Sequence, residues 1–325
     1  MTPGESARRV VCVTGMHRSG TSLVARVVNL LGVDFGGERH RMAPSDANQR
    51  GYWEPRPIVA LNDDLLRTLG GSWREPPALV DGWERDVRLD GHRAHARRVV
   101  RRVLGDGPGL VGWKDPRTSL LLPFWRTVTP VWRTIVVVRD PDEVVASLQA
   151  RDGLSAEHAA RLWLRYTTAA WRADPDRRLL AYEHFFDDHV TAVHRLTTAL
   201  GLPPAEDATR ARIAEFFDAR LRTHTRPRTD AGHRLRLARG LYGVLLSSLE
   251  EQTPADLVVD TVHLGMLDSE RLAEAHHQAR VARRMAHRLR TRLPVRLALR
   301  LTEAARPVIR LAMAVRGRRE RRAPG

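Results

Sequence analysis

The chain has 325 residues, 42% of them hydrophobic, enough for one large α/β domain with an extension or for two domains. The net charge of +16 is uneven: residues 281–325 carry 14 arginines against Glu303 and Glu320, so +12 of it lies in a tail and the remainder is no argument for nucleic-acid binding. A single cysteine, Cys12, excludes an intramolecular disulfide, and the lack of a spanning-length apolar run or signal-peptide core leads us to expect a soluble cytoplasmic protein.

Val10 to Thr14 is a β-favouring run that enters Gly15. A polar turn, Met16-His17-Arg18-Ser19-Gly20-Thr21-Ser22, follows, and Leu23 to Leu31 then shows apolar residues at helical spacing. The pattern predicts strand, phosphate loop and helix. Gly15 and Gly20 allow the tight turn, and the amides from Ser19 to Ser22 would meet an anion at the helix N-terminus, where the dipole favours negative charge. Gly15-x4-Gly20 has the spacing of a nucleoside-triphosphate loop, but Thr21 stands where that motif needs lysine, which argues against ATP hydrolysis. The cation here is Arg18. Cys12 is expected to be a buried, inert thiol, and His17 to support the loop or simply be exposed. The Arg-Ser-Gly-Thr-Ser turn resembles the 5′-phosphosulfate loop of sulfotransferases, which holds the donor 3′-phosphoadenosine 5′-phosphosulfate (PAPS). The resemblance implies that Gly15, Arg18, Ser19, Gly20, Thr21 and Ser22 bind this donor.

Gly32 to Pro57 is rich in glycine, proline and polar residues and too long for an ordinary connection, so it reads as a functional loop over the site. Pro57 to Leu69 and the arginine-rich Asp90 to Leu104 are expected helices. Leu110 to Trp113 reads as a short strand that delivers Lys114-Asp115-Pro116-Arg117 to a sheet edge, with a helix near Leu120 to Trp125. Lys114 is the sole lysine among 54 Lys and Arg residues. An ammonium is a compact point donor where guanidinium is broad and planar, so a lone lysine can mark a place arginine cannot serve; chance survival is the plain alternative. The Lys-Asp-Pro run resembles tyrosylprotein sulfotransferases and their bacterial relatives, which implies that Lys114 donates to the leaving phosphosulfate.

Thr134 to Val138 is the most strand-like run, as expected of a central parallel strand buried on both faces. It ends at Arg139, after which Asp140 reads as N-cap and Pro141 as the first residue of a helix through Ala150. Ser147 follows Arg139 by eight positions. A guanidinium with a hydroxyl two turns into the next helix suits a phosphate, although a salt-bridged arginine at an ordinary junction fits the same residues. Sulfotransferases are similar here, which implies that Arg139 and Ser147 hold the 3′-phosphate. Ala156 to Trp171 is a long helix whose Trp163, Tyr166 and Trp171 are assigned to the core. Arg178 to Glu183 reads as a strand and Val190 to Leu200 as a helix closed by Gly201 and Pro203, so the resemblance runs from Val10 to Leu202. A helix over Ala208 to Leu221 and a basic loop follow; Arg222 and Arg226 are candidates to close the nucleotide site, with a solvated surface the plainer reading.

The expected fold is a three-layer, P-loop-type α/β domain with a central parallel sheet over residues 1–228, followed by a helical, arginine-rich extension over 229–325. The expected chemistry is sulfuryl transfer from PAPS to a hydroxyl of a glycan, lipid or small metabolite. Arg18, Lys114 and the amides from Ser19 to Ser22 would stabilise the leaving charge, and the sequence has no metal-ligand spacing. A hydroxyl acceptor needs a base. The loop after the first helix offers Glu38, His40, Asp46 and Glu54. Glu38 lies twenty residues after Arg18, similar to tyrosylprotein sulfotransferases, while Glu54 follows the aromatic Tyr52-Trp53 and ranks just ahead. A small-molecule kinase and a non-catalytic nucleotide-binding scaffold stay open as alternatives. Arginines interleaved with apolar residues from Ala279 to Arg319 fit a peripheral membrane helix at the inner membrane surface, a protein-docking helix or a partly disordered basic tail alike. No specific nucleic acid is expected as a partner.

Overall fold

The structure, a computed structural model, describes residues 8–42, 53–215, 232–250, 255–270, 281 and 284. The chain divides into two units, Met1–Leu267 and Asp268–Gly325. The second is described only at 268–270, 281 and 284, each helical. Arg222, Arg226, Asp46, Tyr52 and almost all of the arginine-rich tail lie outside the described residues.

The first unit opens with β1 (Arg8–Gly15), α1 (Thr21–Leu30), α2 (Arg56–Thr68), α3 (Asp90–Leu104) and β2 (Gly109–Lys114). It continues with α4 (Thr118–Arg126), β3 (Arg133–Val138), α5 (Pro141–Asp152), α6 (Ala156–Arg172) and β4 (Arg178–Ala181). Four helices follow: α7 (His184–Asp187), α8 (His189–Ala199), α9 (Asp207–Ala214) and α10 (His233–Glu250). Residues 256–267 are helical as well.

The four strands are parallel and run in the order β2-β1-β3-β4. Side chains alternate across the sheet. Val10, Cys12, Val136 and Val138 face one core with α2 to α6 and α10, while Val11, Val13, Ile135 and Val137 face another with α1, α8 and α9. Helices thus cover both faces, which explains why every strand reads as a continuous apolar run. The result is the expected three-layer α/β architecture around a parallel sheet.

Local signals set most boundaries. Asp140 caps α5 by accepting the Asp142 amide at 2.8 Å, and Pro141 takes the first helical position. α3 buries Ala96, Val99, Val100, Val103 and Leu104 along one stripe and turns Arg97, Arg98, Arg101 and Arg102 outward, ending at Gly105 with φ 73°. β4 stops at Ala181 rather than at Glu183, because the chain enters α7 within two residues and the side chains of Tyr182 and Glu183 turn to tertiary duties. The long Gly32 to Pro57 segment is tied down at two bridges, Asp34 to Val111 and Arg41 to Pro55, with a 3-10 turn over Glu38–His40. α10 lies within the first unit and packs on α5 and α6.

Candidate active site

Strand order builds the site. The chain leaves β1 for β2 on one side and later returns to β3 on the other, so the loop after β1 lies at a switch point between two strand ends. Register places Lys114 beside Val13 and Val137 beside Gly15, which puts Lys114 and Arg139 on opposite flanks of the loop.

The loop itself is tightly held. Arg18 and Gly20 both take left-handed backbone, with φ 70° and 83°. That conformation is ordinary for glycine and uncommon for arginine, a mark of a loop shaped by its surroundings. The Ser19 amide donates to the Met16 carbonyl at 3.1 Å. Ser119, on α4, anchors the strand end: its hydroxyl accepts the Gly15 amide at 3.0 Å and bonds the Thr14 hydroxyl at 2.8 Å. A Cβ on Gly15 would collide with the Val137 carbonyl oxygen, and one on Gly20 with the Tyr182 ring. The buried Ser19 hydroxyl has no hydrogen-bond partner among the described residues and sits at the amino end of α1, a fit for a phosphate or sulfate oxygen.

The sequence-predicted residues fall into two groups on either side of this loop. On the β2 side, Lys114 Nζ donates to Ser22 Oγ at 3.1 Å and pairs with Glu54 Oε1; the lysine and the glutamate are 2% and 6% exposed. Glu54 Oε2 is buried without a partner among the described residues. On the β3 side, Arg18 Nε donates to Ser147 Oγ at 2.8 Å, and Arg139 Nη1 donates to the Arg18 carbonyl at 3.1 Å. Arg139 also pairs with Glu143, through Nε at 2.8 Å and Nη2 at 2.7 Å, and lies 4.3 Å from the Tyr182 ring centroid. Glu38 is exposed on its 3-10 turn beside Arg26, and no described contact joins it to Lys114.

Neighbouring residues hold the two cations in place. Asp115 is fully buried and accepts from Asn62 Nδ2 at 2.8 Å and from the amide and Nη1 of Arg117, both at 3.1 Å. Arg117 reaches on to Asp63 at 2.6 Å. Asp115 therefore fixes the turn after Lys114, and Lys114 reaches the loop at Ser22. Sequence reading missed Ser119, Asn62 and Glu143; their polar types at otherwise apolar helix faces were the available signal.

His17 is buried rather than exposed, 4.7 Å from the Trp73 ring and 5.7 Å from the Tyr166 ring. Burial pushes its pKa well below the ordinary histidine value, with Arg117, Arg151, Lys114 and Arg18 adding to the effect, so the ring is neutral. Cys12 is buried, and burial, with Asp115 and Asp174 beyond, pushes its thiol well up, as an inert core cysteine requires. Trp163, Tyr166 and Trp171 are core side chains. Among the described residues no group of His, Cys, Asp or Glu could hold a metal ion, and no helix is long and apolar enough to cross a membrane.

A glycine-bent loop at a helix N-terminus, flanked by two cations, has the backbone amides and the positive charge to bind an anionic group, and a buried carboxylate lies beside one of the cations. The model of the sulfotransferase family matches residues 11–207, and the chain belongs to this family. Among solved structures it is similar to sulfotransferase STF9 from Mycobacterium avium, at 17% identity over 76% of this chain and 76% of that chain, with a TM-score of 0.39. It is similar too to sulfotransferase STF1 from Mycobacterium tuberculosis H37Rv, at 15% identity over 73% and 76% of the two chains, TM-score 0.42. The sulfotransferase domain of the Synechococcus PCC 7002 olefin synthase matches at 14% identity over 75% of this chain and 98% of that one, TM-score 0.38. No curated protein matches.

Proposed function

We propose that the protein transfers a sulfuryl group from PAPS to the hydroxyl of an acceptor by in-line displacement. The observation that carries this reading is the single lysine of the chain, buried between Ser22 at the amino end of α1 and the carboxylate of Glu54. One ammonium thus links the donor side of the site to its acceptor side. On this reading Gly15, Gly20, Thr21 and the amides from Ser19 to Ser22 cradle the phosphosulfate together with Arg18, while Arg139 and Ser147 take the 3′-phosphate. As the bond between sulfur and the acceptor oxygen forms, the bond to the bridging phosphate oxygen breaks. Lys114 donates to that bridging oxygen, and Glu54 takes the proton of the acceptor hydroxyl through Oε2, which has no partner among the described residues. Glu38, exposed and apart from Lys114, is the second candidate for the base.

The lip beside Glu54 supports a polar or anionic glycan as acceptor. The guanidinium carbons of Arg41 and Arg26 lie 4.0 Å and 5.4 Å from the centroid of the buried Trp53 ring, which puts two cations on the side of the proposed base.

The deciding measurement is calorimetric binding of 3′-phosphoadenosine 5′-phosphate beside ADP, two nucleotides that differ in the position of the second phosphate. We expect a clear preference for the 3′-phosphate, and Arg139→Ala should weaken that nucleotide far more than adenosine 5′-phosphate. Preference for ADP would overturn the donor assignment and favour a kinase.

A further inference from the structure

Beyond the family match, α10 reaches back to the junction that carries Arg139. The peptide bond between Arg139 and Asp140 has both of its polar atoms held by side chains. Trp163 Nε1 donates to the Arg139 carbonyl at 3.0 Å, and the Asp140 amide donates to Glu183 Oε1 at 2.9 Å. Tyr242, on α10, touches both holders. Its hydroxyl donates to Glu183 Oε2 at 2.7 Å, and its ring meets the Trp163 ring edge-on, at 6.3 Å between centroids and 80° between planes. One turn earlier on the same helix, Arg239 grips the Asp142 carboxylate through Nε at 2.8 Å and Nη2 at 2.6 Å.

We propose that Tyr242 is a positioning residue for the donor site: by fixing Glu183 and Trp163 it sets the plane of the 139–140 peptide, and with it the direction of the Arg139 guanidinium and of the first turn of α5. The inference rests on the donor role proposed above for Arg139. A peptide unit tied at both its carbonyl and its amide cannot rotate without breaking one bond or the other. The two oxygens of Glu183 serve different donors, an amide and a phenol. Removal of the phenol leaves a desolvated oxygen without a donor, and the carboxylate then gains by turning away from Asp140. Burial raises the pKa of Glu183, while hydrogen bonds from the Asp140 amide, the Tyr242 hydroxyl and its own amide oppose that effect. Because Tyr242 lies 102 residues after Asp140 in the sequence, no local pattern could have linked them.

The test is Tyr242→Phe in the full chain, which keeps the ring against Trp163 and removes only the hydroxyl. Two readouts are taken: hydrogen exchange at the Asp140 amide, and calorimetric affinity for 3′-phosphoadenosine 5′-phosphate and for adenosine 5′-phosphate. We expect exchange at Asp140 to speed up about tenfold and the 3′-phosphorylated nucleotide to bind about tenfold more weakly, as a charge-assisted hydrogen bond implies. Adenosine 5′-phosphate should bind as before and the melting temperature should stay within a few degrees. Unchanged exchange at Asp140, or equal weakening of both nucleotides, would overturn the proposal. If the unsubstituted protein binds both nucleotides alike, it is the donor reading that fails; faster Asp140 exchange in the variant would then still uphold the bracing, and unchanged exchange would still overturn it.

Discussion

Replacement of Lys114 by methionine tests the centre of the mechanism, provided that its structural and chemical consequences are separated. Lys114 and Glu54 are both nearly inaccessible to solvent, so the pair is not screened as a surface pair would be. Removing one partner of such a pair leaves a buried charge uncompensated and costs about 3–5 kcal/mol. For a unit of this size that corresponds to a fall in melting temperature of about 6–20 °C. Chemistry should suffer independently. The loss of a donor aimed at developing charge typically lowers turnover by about 10²–10³-fold. The double variant Lys114→Met, Glu54→Gln removes both charges together and should regain most of the stability, because a neutral pair of similar volume carries no stranded ion. It should not regain turnover. The assay is release of 3′-phosphoadenosine 5′-phosphate in single turnovers, run beside thermal unfolding of both variants. A stable double variant with turnover within about tenfold of the parent would refute the assignment of leaving-group and base chemistry to this pair.

Three further outcomes are expected. Ser119→Ala strips the partner from the Gly15 amide and the Thr14 hydroxyl, and should cost about 1–3 kcal/mol in urea unfolding while raising the Michaelis constant for the donor. Gly15→Ala drives a methyl into the Val137 carbonyl, which cannot retreat because it belongs to the β1 to β3 ladder, and should destabilise by about 1–3 kcal/mol or more by the same measurement. His17 is held neutral in the fold while the unfolded chain titrates near the ordinary value, so the unfolded state binds more protons in acid. Its contribution is present in full above about pH 6.5 and is lost as pH falls toward the lowered folded pKa. In His17→Gln the slope of unfolding free energy against pH below 6.5 should flatten by up to about 1.4 kcal/mol per pH unit, and an unchanged slope would contradict a buried neutral ring.

The two nominated carboxylates illustrate what spacing along the chain can and cannot rank. Glu38 fits the resemblance by its distance from Arg18, and Glu54 ranks ahead of it on the aromatic residues before it. The antiparallel bridge between Arg41 and Pro55 fixes the backbone next to Glu54, which pairs with Lys114, while Glu38 stays in solvent on its 3-10 turn. A loop's path depends on what it packs against, and periodicity carries no trace of that.

The amino-acid sequence by itself determined the features that arise within a few residues. These include the strand, glycine turn and helix around Gly15 to Ser22, the buried Thr134 to Val138 strand, the Asp140-Pro141 helix start and the arginine stripe of α3. Each rests on backbone dihedral preferences, capping or hydrophobic period, which act over one or two turns. Tertiary structure alone decided that Lys114 and Arg139 flank one loop, that Ser119 ties down Gly15, and that Tyr242 braces the 139–140 peptide. These contacts join residues dozens to more than a hundred positions apart. They exist because β1 lies between β2 and β3 and because α10 returns over α5 and α6, a strand order and a packing that local chemistry permits but does not choose.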